Sequence, residues 1–310
     1  MSRAFRLLVQ ARAKLYESGI LPTRRLSRPV ISVGNLTLGG TGKTPLVIAL
    51  AEGLRDRGFR PVILSRGYGR TSRGVVIADA DWEQCGDEPM LMKQRLGNVA
   101  VVVGADRYEA GMVAEQKQLG NVFILDDGFQ HRHLYRDVDI VTIDPIEWTA
   151  GDTLLPAGRW REPKSAISRA HAVCVQEAPG AAIPKLAAPT FTVQTVIEGI
   201  YRRGRVVPQE SFKGSQIVAF AGIAKPDRFF ASLESIGIRP IECVCFADHH
   251  HYSAREIEKL GGEMLLTTEK DAIRLENLTS RPYCCLRISA KIPNFDDLMK
   301  LVMDGVPGCK

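Results

Sequence analysis

Lys43 and Thr44, preceded by Gly39-Gly40-Thr41-Gly42, are the residues whose types and spacing point most directly to chemistry. Glycines let backbone N–H groups approach phosphate oxygens, and a helix N-terminus adds about half a positive charge facing the anion. In such a loop the lysine reaches the β/γ-phosphates and the threonine hydroxyl holds Mg2+. An ordinary Gly-rich turn accounts for the glycines but not for the Lys-Thr pair. The general pattern G-x-x-x-x-G-K-[ST] wants its first glycine where this chain has Thr37. A second signal is Val122-Phe123-Ile124-Leu125-Asp126-Asp127. An apolar run ending in acid sets carboxylates at a strand tip beside the phosphate loop, the arrangement that coordinates Mg2+ in nucleotide-hydrolysing folds.

Other polar clusters are ambiguous by themselves. Gly86-Asp87-Glu88-Pro89 opens a helical pattern, and two acids ahead of a proline there favour capping and dipole compensation over chemistry. Arg66-Gly67-Tyr68-Gly69-Arg70 and Asp106-Arg107 fall just past strand-like runs, where open α/β sheets place ligands. Asp248-His249-His250-His251 follows a strand and suits metal ligation or acid–base work. A consecutive triplet sends its side chains in different directions, which favours one functional histidine beside two incidental ones. Thr268-Glu269-Lys270-Asp271 superficially resembles the guanine-reading Lys-x-Asp of G proteins, but Glu269 stands where that lysine belongs.

The elements that must hold these residues follow from periodicity. A strand over 30–35 feeds the loop and then a helix that stops near Gly58. Further strand-like runs lie at 61–65, 99–103, 122–126, 138–144 and 171–175, the last closing a first sheet. A Pro/Ala-rich boundary covers 178–189, and β-branched segments at 190–197 and 205–207 suit an exposed connecting ribbon. A second βα alternation then runs through 216–220, 226–236, 240–246, 253–260 and 263–267, enough for a small doubly wound domain. The fold class is α/β, in two domains.

The net charge of +6 has a location: residues 1–29 carry seven basic side chains (Arg3, Arg6, Arg12, Lys14, Arg24, Arg25, Arg28) against Glu17, and the other 281 residues balance at 34 of each sign. The excess thus belongs to an N-terminal arm, and no nucleic-acid-binding surface is indicated. In that arm Phe5, Leu8, Val9, Ala13, Tyr16 and Ile20 share a helical face that Arg12 interrupts. Such a helix either lies in an anionic membrane interface or packs on its domain, and periodicity does not separate the two. No apolar run approaches the roughly 20 residues that span a bilayer, and no cleavable leader is evident. Seven cysteines without C-x-x-C spacing argue against a zinc site or disulfide framework and fit a reducing cytoplasm.

Taken in order, Val33-Gly34-Asn35-Leu36-Thr37 with Gly39-Gly40-Thr41-Gly42-Lys43-Thr44-Pro45, Ser65-Arg66-Gly67-Tyr68-Gly69, Gly86-Asp87-Glu88-Pro89, Asp126-Asp127-Gly128-Phe129-Gln130-His131, Pro156-Ala157-Gly158 with Arg161-Glu162, Asp248-His249 and Thr268-Glu269-Lys270-Asp271-Ala272 resemble the tetraacyldisaccharide 4′-kinase family over essentially the whole chain. The resemblance implies two α/β/α (Rossmann-like) lobes, the first a P-loop NTPase core, joined by a β-ribbon hinge. The corresponding spans are a basic amphipathic arm (1–28), the kinase core (29–189), the hinge (190–212) and the smaller lobe (213–310). It implies ATP and Mg2+ as cofactors, phosphorylation of the lipid A disaccharide precursor, and a peripheral place on the anionic cytoplasmic face of the inner membrane. No obligate protein partner is evident. Thr37 is the family's usual residue at its position, and nucleotide binding falls to Thr37, Leu38, Gly39, Gly40, Thr41, Gly42, Lys43 and Thr44. Asp87 matches the catalytic acid and His249 its paired histidine; Lys43, Arg107 and Arg161 match groups at the transferring phosphate. Thr44, Asp126 and Asp127 match metal ligands, while Asn35, Glu88, Gln130, His131 and Glu162 are candidates for the lipid acceptor. Arg159-Trp160 departs from the family's usual proline and apolar residue, which leaves Arg159 and Arg161 as alternatives for the phosphate. The N-terminal segment is also shorter and less apolar than in some members.

Two other classes compete. A membrane-surface nucleotide switch of the partitioning-ATPase type carries a lysine immediately before the Gly-Gly of its loop, where this chain has Leu38. An ATP-dependent ligase would also set an acceptor opposite the γ-phosphate. Their products separate them: phosphorylated lipid, ADP with free phosphate, or a condensed product.

Overall fold

The apolar runs expected as strands lie in parallel and are covered on both faces, which is why they read as continuous rather than alternating. The computed structural model describes residues 2–79 and 81–306, with side chains from Phe5 onward. Cys309 and the side chain of Arg3, both counted in the sequence, lie outside the described residues. An N-terminal helix α1 (Ser2–Glu17) precedes strands β1 (Val30–Asn35), β2 (Pro61–Ser65), β3 (Val76–Ile77), β4 (Ala100–Val103), β5 (Val122–Asp126), β6 (Val138–Ile143) and β7 (Ala172–Gln176). They adopt the order β7-β6-β1-β5-β2-β4-β3, parallel apart from β3. Between them run α2 (Lys43–Asp56), α3 (Trp82–Cys85), α4 (Asp87–Leu96), α5 (Arg107–Gln116) and α6 (Pro145–Thr149).

The two-residue strand period sorts side chains between the faces. Val122 and Ile124 of β5 pack with Leu46, Leu50 and Leu54 of α2 and Met92 of α4. Phe123 and Leu125 turn the other way, onto Ala110 and Ala114 of α5. This is a three-layer α/β/α arrangement.

The next stretch differs from expectation. β8 (Thr190–Arg202) does not run as an exposed ribbon: its first residues extend the first sheet beside β7, and the rest pairs antiparallel with β13 (Tyr283–Lys291). With Phe191, Val193 and Ile200 buried, β8 is a core strand shared by both sheets. β7 therefore does not close the first sheet. β9 (Arg205–Val207) hairpins back on β8. The second group is β10 (Ile217–Ala221), β11 (Glu242–Cys245) and β12 (Met264–Thr268), in order β11-β10-β12-β13-β8. Helices α7 (Pro226–Ser235), α8 (Ala254–Lys259) and α9 (Glu269–Arg274) accompany it, with Phe229 and Leu233 on one face and Ile257 on the other.

The final helix α10 (Phe295–Asp304), counted with the smaller lobe in the 213–310 span, packs instead with the first core. Leu298, Met299 and Val302 join the cluster around α2, and Gly53 of α2 leaves room for Phe295 and Met299. The chain crosses to the second lobe and returns.

α1 answers to both readings of its periodicity. Val9, Ala13 and Tyr16 are half-buried and Phe5 packs near Trp148 and Trp160, whereas Leu7 and Leu8 are 67% and 68% exposed and Ile20 is 70% exposed. Arg12 accounts for the break in the stripe: its guanidinium donates to the Gln130 carbonyl and lies over the Tyr16 ring. No helix among the described residues is long and apolar enough to cross a membrane.

Candidate active site

The carboxyl ends of β1, β5 and β2 converge with those of β10, β11 and β12 on one cleft, as open α/β sheets lead one to expect. At the end of β1 the chain turns through 36–42 into α2. Gly42 is the N-cap of α2 with φ 75°, left-handed, and a Cβ there would run into the Gln176 amide. The loop is braced from inside and outside. Asn35 Nδ2 donates to Thr41 Oγ1 at 3.0 Å, and the Thr41 and Thr142 hydroxyls are 2.8 Å apart. The Thr37 hydroxyl donates to Glu147 Oε2 at 2.9 Å. Leu38 exchanges hydrogen bonds with Arg159: its N–H donates to the Arg159 carbonyl, and Arg159 Nη2 donates to its carbonyl, both at 2.7 Å. Trp160 is buried between them and bridges to Thr37. The two arginines therefore part: Arg159 clasps the loop backbone and Arg161 turns to Asp127 at 2.7 Å.

Asp126 ends β5, and Asp127 follows at φ 49°, a conformation non-glycine residues hold only where the surroundings enforce it. Ser65 at the tip of β2 donates to Asp126 Oδ2 at 2.9 Å. Asp127 takes Lys43 Nζ at 3.3 Å on Oδ1 and Arg161 on Oδ2. Burial, then the charges of Glu88 and Asp127, push the Asp126 carboxyl up to about 7. Burial acts the same way on Asp127, but Lys43 and Arg161 outweigh it and hold that carboxyl at about 2. Two adjacent carboxylates at one strand tip, both hard oxygen donors, fit a divalent cation that takes its other ligands from phosphates and water. Thr44 lies in the first turn of α2 beside Lys43. Among the described residues no three His, Cys, Asp or Glu side chains form a metal cluster by themselves.

Arg107 opens α5, is buried, and donates through Nη1 to the Ala105 carbonyl at 2.8 Å while its Nε lacks a partner. Burial, then Arg66, lower its pKa to about 10, so it stays cationic at neutral pH.

The third cluster joins the two lobes. Asp87 is the first residue of α4, but the cap position belongs to Gly86, so Asp87 is not the N-cap its setting suggested. Its Oδ1 accepts the Glu88 N–H at 2.8 Å, and its Oδ2 lies 3.0 Å from His249 Nδ1 and 3.1 Å from Arg274 Nε. Burial alone would raise the Asp87 carboxyl; His249, Lys270 and Arg274 together hold it below its ordinary value. His249 has φ 57°, its N–H donates to the Gly222 carbonyl at 3.1 Å, and its ring lies 4.8 Å from that of Tyr68. The histidine triplet splits: His250 stacks on Phe246 and pairs with Glu256, and His251 lies against Trp82.

The acceptor candidates scatter. Gln130 Nε2 donates to the Asn35 carbonyl at 2.9 Å and to Glu162 Oε1 at 3.1 Å, and Arg161 Nη1 reaches its Oε1 at 3.4 Å, so Gln130 sits beside Arg161. Glu88 is half-buried and pairs with Lys270 at 3.2 Å. Asn35 is fully buried and serves the loop, and Glu162 is buried against Arg169 at 2.8 Å. His131 stands 3.7 Å from Asp106; burial, then Arg107, push its pKa down to about 3, so it is neutral. Lys270 and Arg274 touch the Asp87–His249 pair although only the first lies in a singled-out motif. Their i, i+4 spacing on one helix face is the signal that joins them.

The chain matches the family model "Tetraacyldisaccharide-1-P 4'-kinase" over residues 1–305. It is similar to the tetraacyldisaccharide 4'-kinase of Koribacter versatilis, 38% identical over 323 residues and covering 97% of this chain and 98% of that one. The kinase of the same description from Geobacter metallireducens is 40% identical over 299 residues, covering 91% and 88%. Among solved structures it resembles an LpxK from Aquifex aeolicus, an "apo" form in complex with ATP, with TM-score 0.86, 37% identity and coverage of 98% and 96%.

Proposed function

The chain belongs to the tetraacyldisaccharide-1-P 4'-kinase family, and from that premise we propose that it transfers the γ-phosphoryl group of ATP to the 4′-hydroxyl of the tetraacyldisaccharide 1-phosphate precursor of lipid A. The observation that supports this reading most directly is the contact of Asp87 with His249 across the cleft, opposite the phosphate loop. A hydrolase acting on water needs no second lobe to complete such a pair. The loop N–H groups and Lys43 receive the β/γ-phosphates, and Arg161 and Arg107 bring positive charge to the group in transfer. Thr44, Asp126 and Asp127 would hold Mg2+, which would supply further charge neutralisation at the phosphates. Asp87, oriented by His249, takes the proton of the acceptor hydroxyl as its oxygen attacks in line. Gln130 and Glu88, both from the first lobe, are the best-placed acceptor contacts.

α1 supplies the membrane side of the reading. Its exposed Leu7, Leu8, Leu15 and the nearby Ile20, with the basic arm, suit a peripheral place on an anionic cytoplasmic membrane face. The deciding assay offers Mg2+-ATP and the disaccharide precursor in mixed micelles and follows the products. Phosphorylated lipid in step with ADP is expected; ADP and free phosphate without phosphorylated lipid would favour a nucleotide switch and defeat the reading.

A further inference from the structure

Lys270, on α9, faces His249 from the side away from Asp87. Its Nζ lies 3.1 Å from His249 Nε2, 3.2 Å from Glu88 Oε1 and 4.0 Å from Asp248 Oδ1. Burial by itself would lower the pKa of this amine, but Glu88, Asp87 and Asp248 raise it above its ordinary value, so the group is an ammonium. An ammonium has three donor hydrogens and no lone pair. A ring nitrogen at hydrogen-bond distance from it must offer its own lone pair, so Nε2 carries no hydrogen. The single ring hydrogen then sits on Nδ1, pointing at Asp87 Oδ2. We propose that Lys270 is a positioning residue that fixes His249 as the neutral Nδ1–H tautomer and so keeps the Asp87–His249 pair ready to accept a proton.

The tautomer decides where that proton goes. His249 Nδ1 and Arg274 Nε both lie on Asp87 Oδ2, whereas Oδ1 accepts only the Glu88 N–H and keeps a free lone pair. The acceptor O–H bond breaks, its hydrogen passes to Asp87 Oδ1, the oxygen bonds the γ-phosphorus and the bond to the ADP oxygen breaks. An imidazolium would require a hydrogen on Nε2 aimed at the Lys270 cation, so the ammonium also opposes premature protonation of the pair. The groups facing His249 are Asp87 and Glu88 from α4, Tyr68 from the 66–70 loop, Lys270 and Arg274 from α9, and Asp248 on its own turn.

The inference rests on reading Asp87 and His249 as the proton-accepting pair, and its test separates the two. The full-length protein, Lys270→Met and Lys270→Arg are compared by the pH profile of kcat/KM and by the ring-nitrogen NMR signals of His249. In the parent, Nε2 is expected unprotonated and Nδ1 protonated. Loss of the cation in Lys270→Met should mix the tautomers, lower kcat roughly tenfold or more and move the acid limb upward by about one pH unit. Lys270→Arg should restore most of the parent profile. A parent spectrum with hydrogen on Nε2, or an acid limb unmoved in folded Lys270→Met, overturns the inference. Should Lys270→Met not fold, the parent spectrum alone decides it. Full turnover in Asp87→Asn would instead sink the reading of the pair, while the tautomer measurement stands on its own.

Discussion

At the scale of residues, the site consists of charges whose protonation depends on their neighbours. If Asp87 and His249 act as one unit, Asp87→Asn and His249→Ala should each cost about 10²–10⁴ in kcat, and the double variant little more than the worse single one. Asparagine is the substitution to use, because it keeps a side-chain oxygen for the Glu88 N–H and fills the space beside Arg274, whose charge retains Asp271 at 3.3 Å. Logarithmic losses that simply add would separate the two residues. Asp126 gives a second test. Burial and then Glu88 and Asp127 push its carboxyl up to about 7, so if Asp126 holds Mg2+ the ion must displace a proton below that pH. Calorimetric titration of the ATP-loaded protein with Mg2+ should thus show about one proton released at pH 6 and little at pH 8. Equal release at both would place the metal elsewhere. The roles proposed for Lys43, Thr44 and Asp126 could be read from the sequence because they depend on one turn or one strand tip, and the structure places that turn and tip side by side. Asp87 was not legible unaided, since two acids at a helix start look alike whether they cap or react. Its partners His249, Lys270 and Arg274 come from another lobe; the i, i+4 spacing joins Lys270 to Arg274 but ties neither to Asp87.

At the scale of elements, the strands that carry the site were readable as apolar runs, while the pieces that tie lobes together were not. β8 looked like a ribbon because Phe191 and Val193 alternate with polar residues and the segment is β-branched, yet alternation is what a strand with one covered face needs, and its pairing to β7 and β13 leaves no trace in the pattern. β13 mixes Arg287 and Ser289 into its apolar positions, and α10 gives no sign in its pattern of which core it will join. α1 shows the same limit, since one apolar stripe serves both docking and exposure. The structure makes the two functions separable by substitution. Leu7→Ser with Leu8→Ser removes about 1 kcal/mol or more of interfacial burial per side chain, so binding to anionic vesicles should fall roughly tenfold or more. Because both side chains point away from the body, the melting temperature and nucleotide affinity should stay at parent values. Unchanged vesicle binding at low salt would take the membrane role from this helix.

At the scale of the molecule, the two lobes meet through charge pairs on both sides of the phosphate loop. On one side stand Asp87 and Glu88 against His249, Lys270 and Arg274. On the other, the carboxylate of Asp144, just past β6, takes Lys225 Nζ and Arg228 Nη2, each at 2.6 Å, and Lys225 also reaches Glu147 at 3.0 Å. Ala224 of the same turn approaches Gly39, so this contact holds the second lobe against the nucleotide loop. Burial raises the Asp144 carboxyl, but the hydrogen bond and charge of Lys225, then Arg228, prevail and depress it below its ordinary value. A carboxyl depressed in the folded state stabilises the contact fully above its unfolded pKa of about 3.9, and that stabilisation is lost as pH falls through the lower folded value. Asp144→Asn keeps the side-chain oxygen that caps α6 through the Ile146 N–H but discards the charge. At neutral pH this variant should exchange the amide hydrogens of 222–228 faster than the parent and lose kcat by more than it loses nucleotide affinity, because the acceptor side of the cleft is held less closely. Below pH 4 the parent's exchange in that turn should accelerate toward the variant's, whereas the variant's own pH response there should be flatter. Identical exchange in the two proteins at neutral pH would mean that the lobes are held without the Asp144 charge, by the shared strand β8, the Asp87 cluster and pairs such as Arg95–Glu269, with Asp144 serving only as the cap of α6.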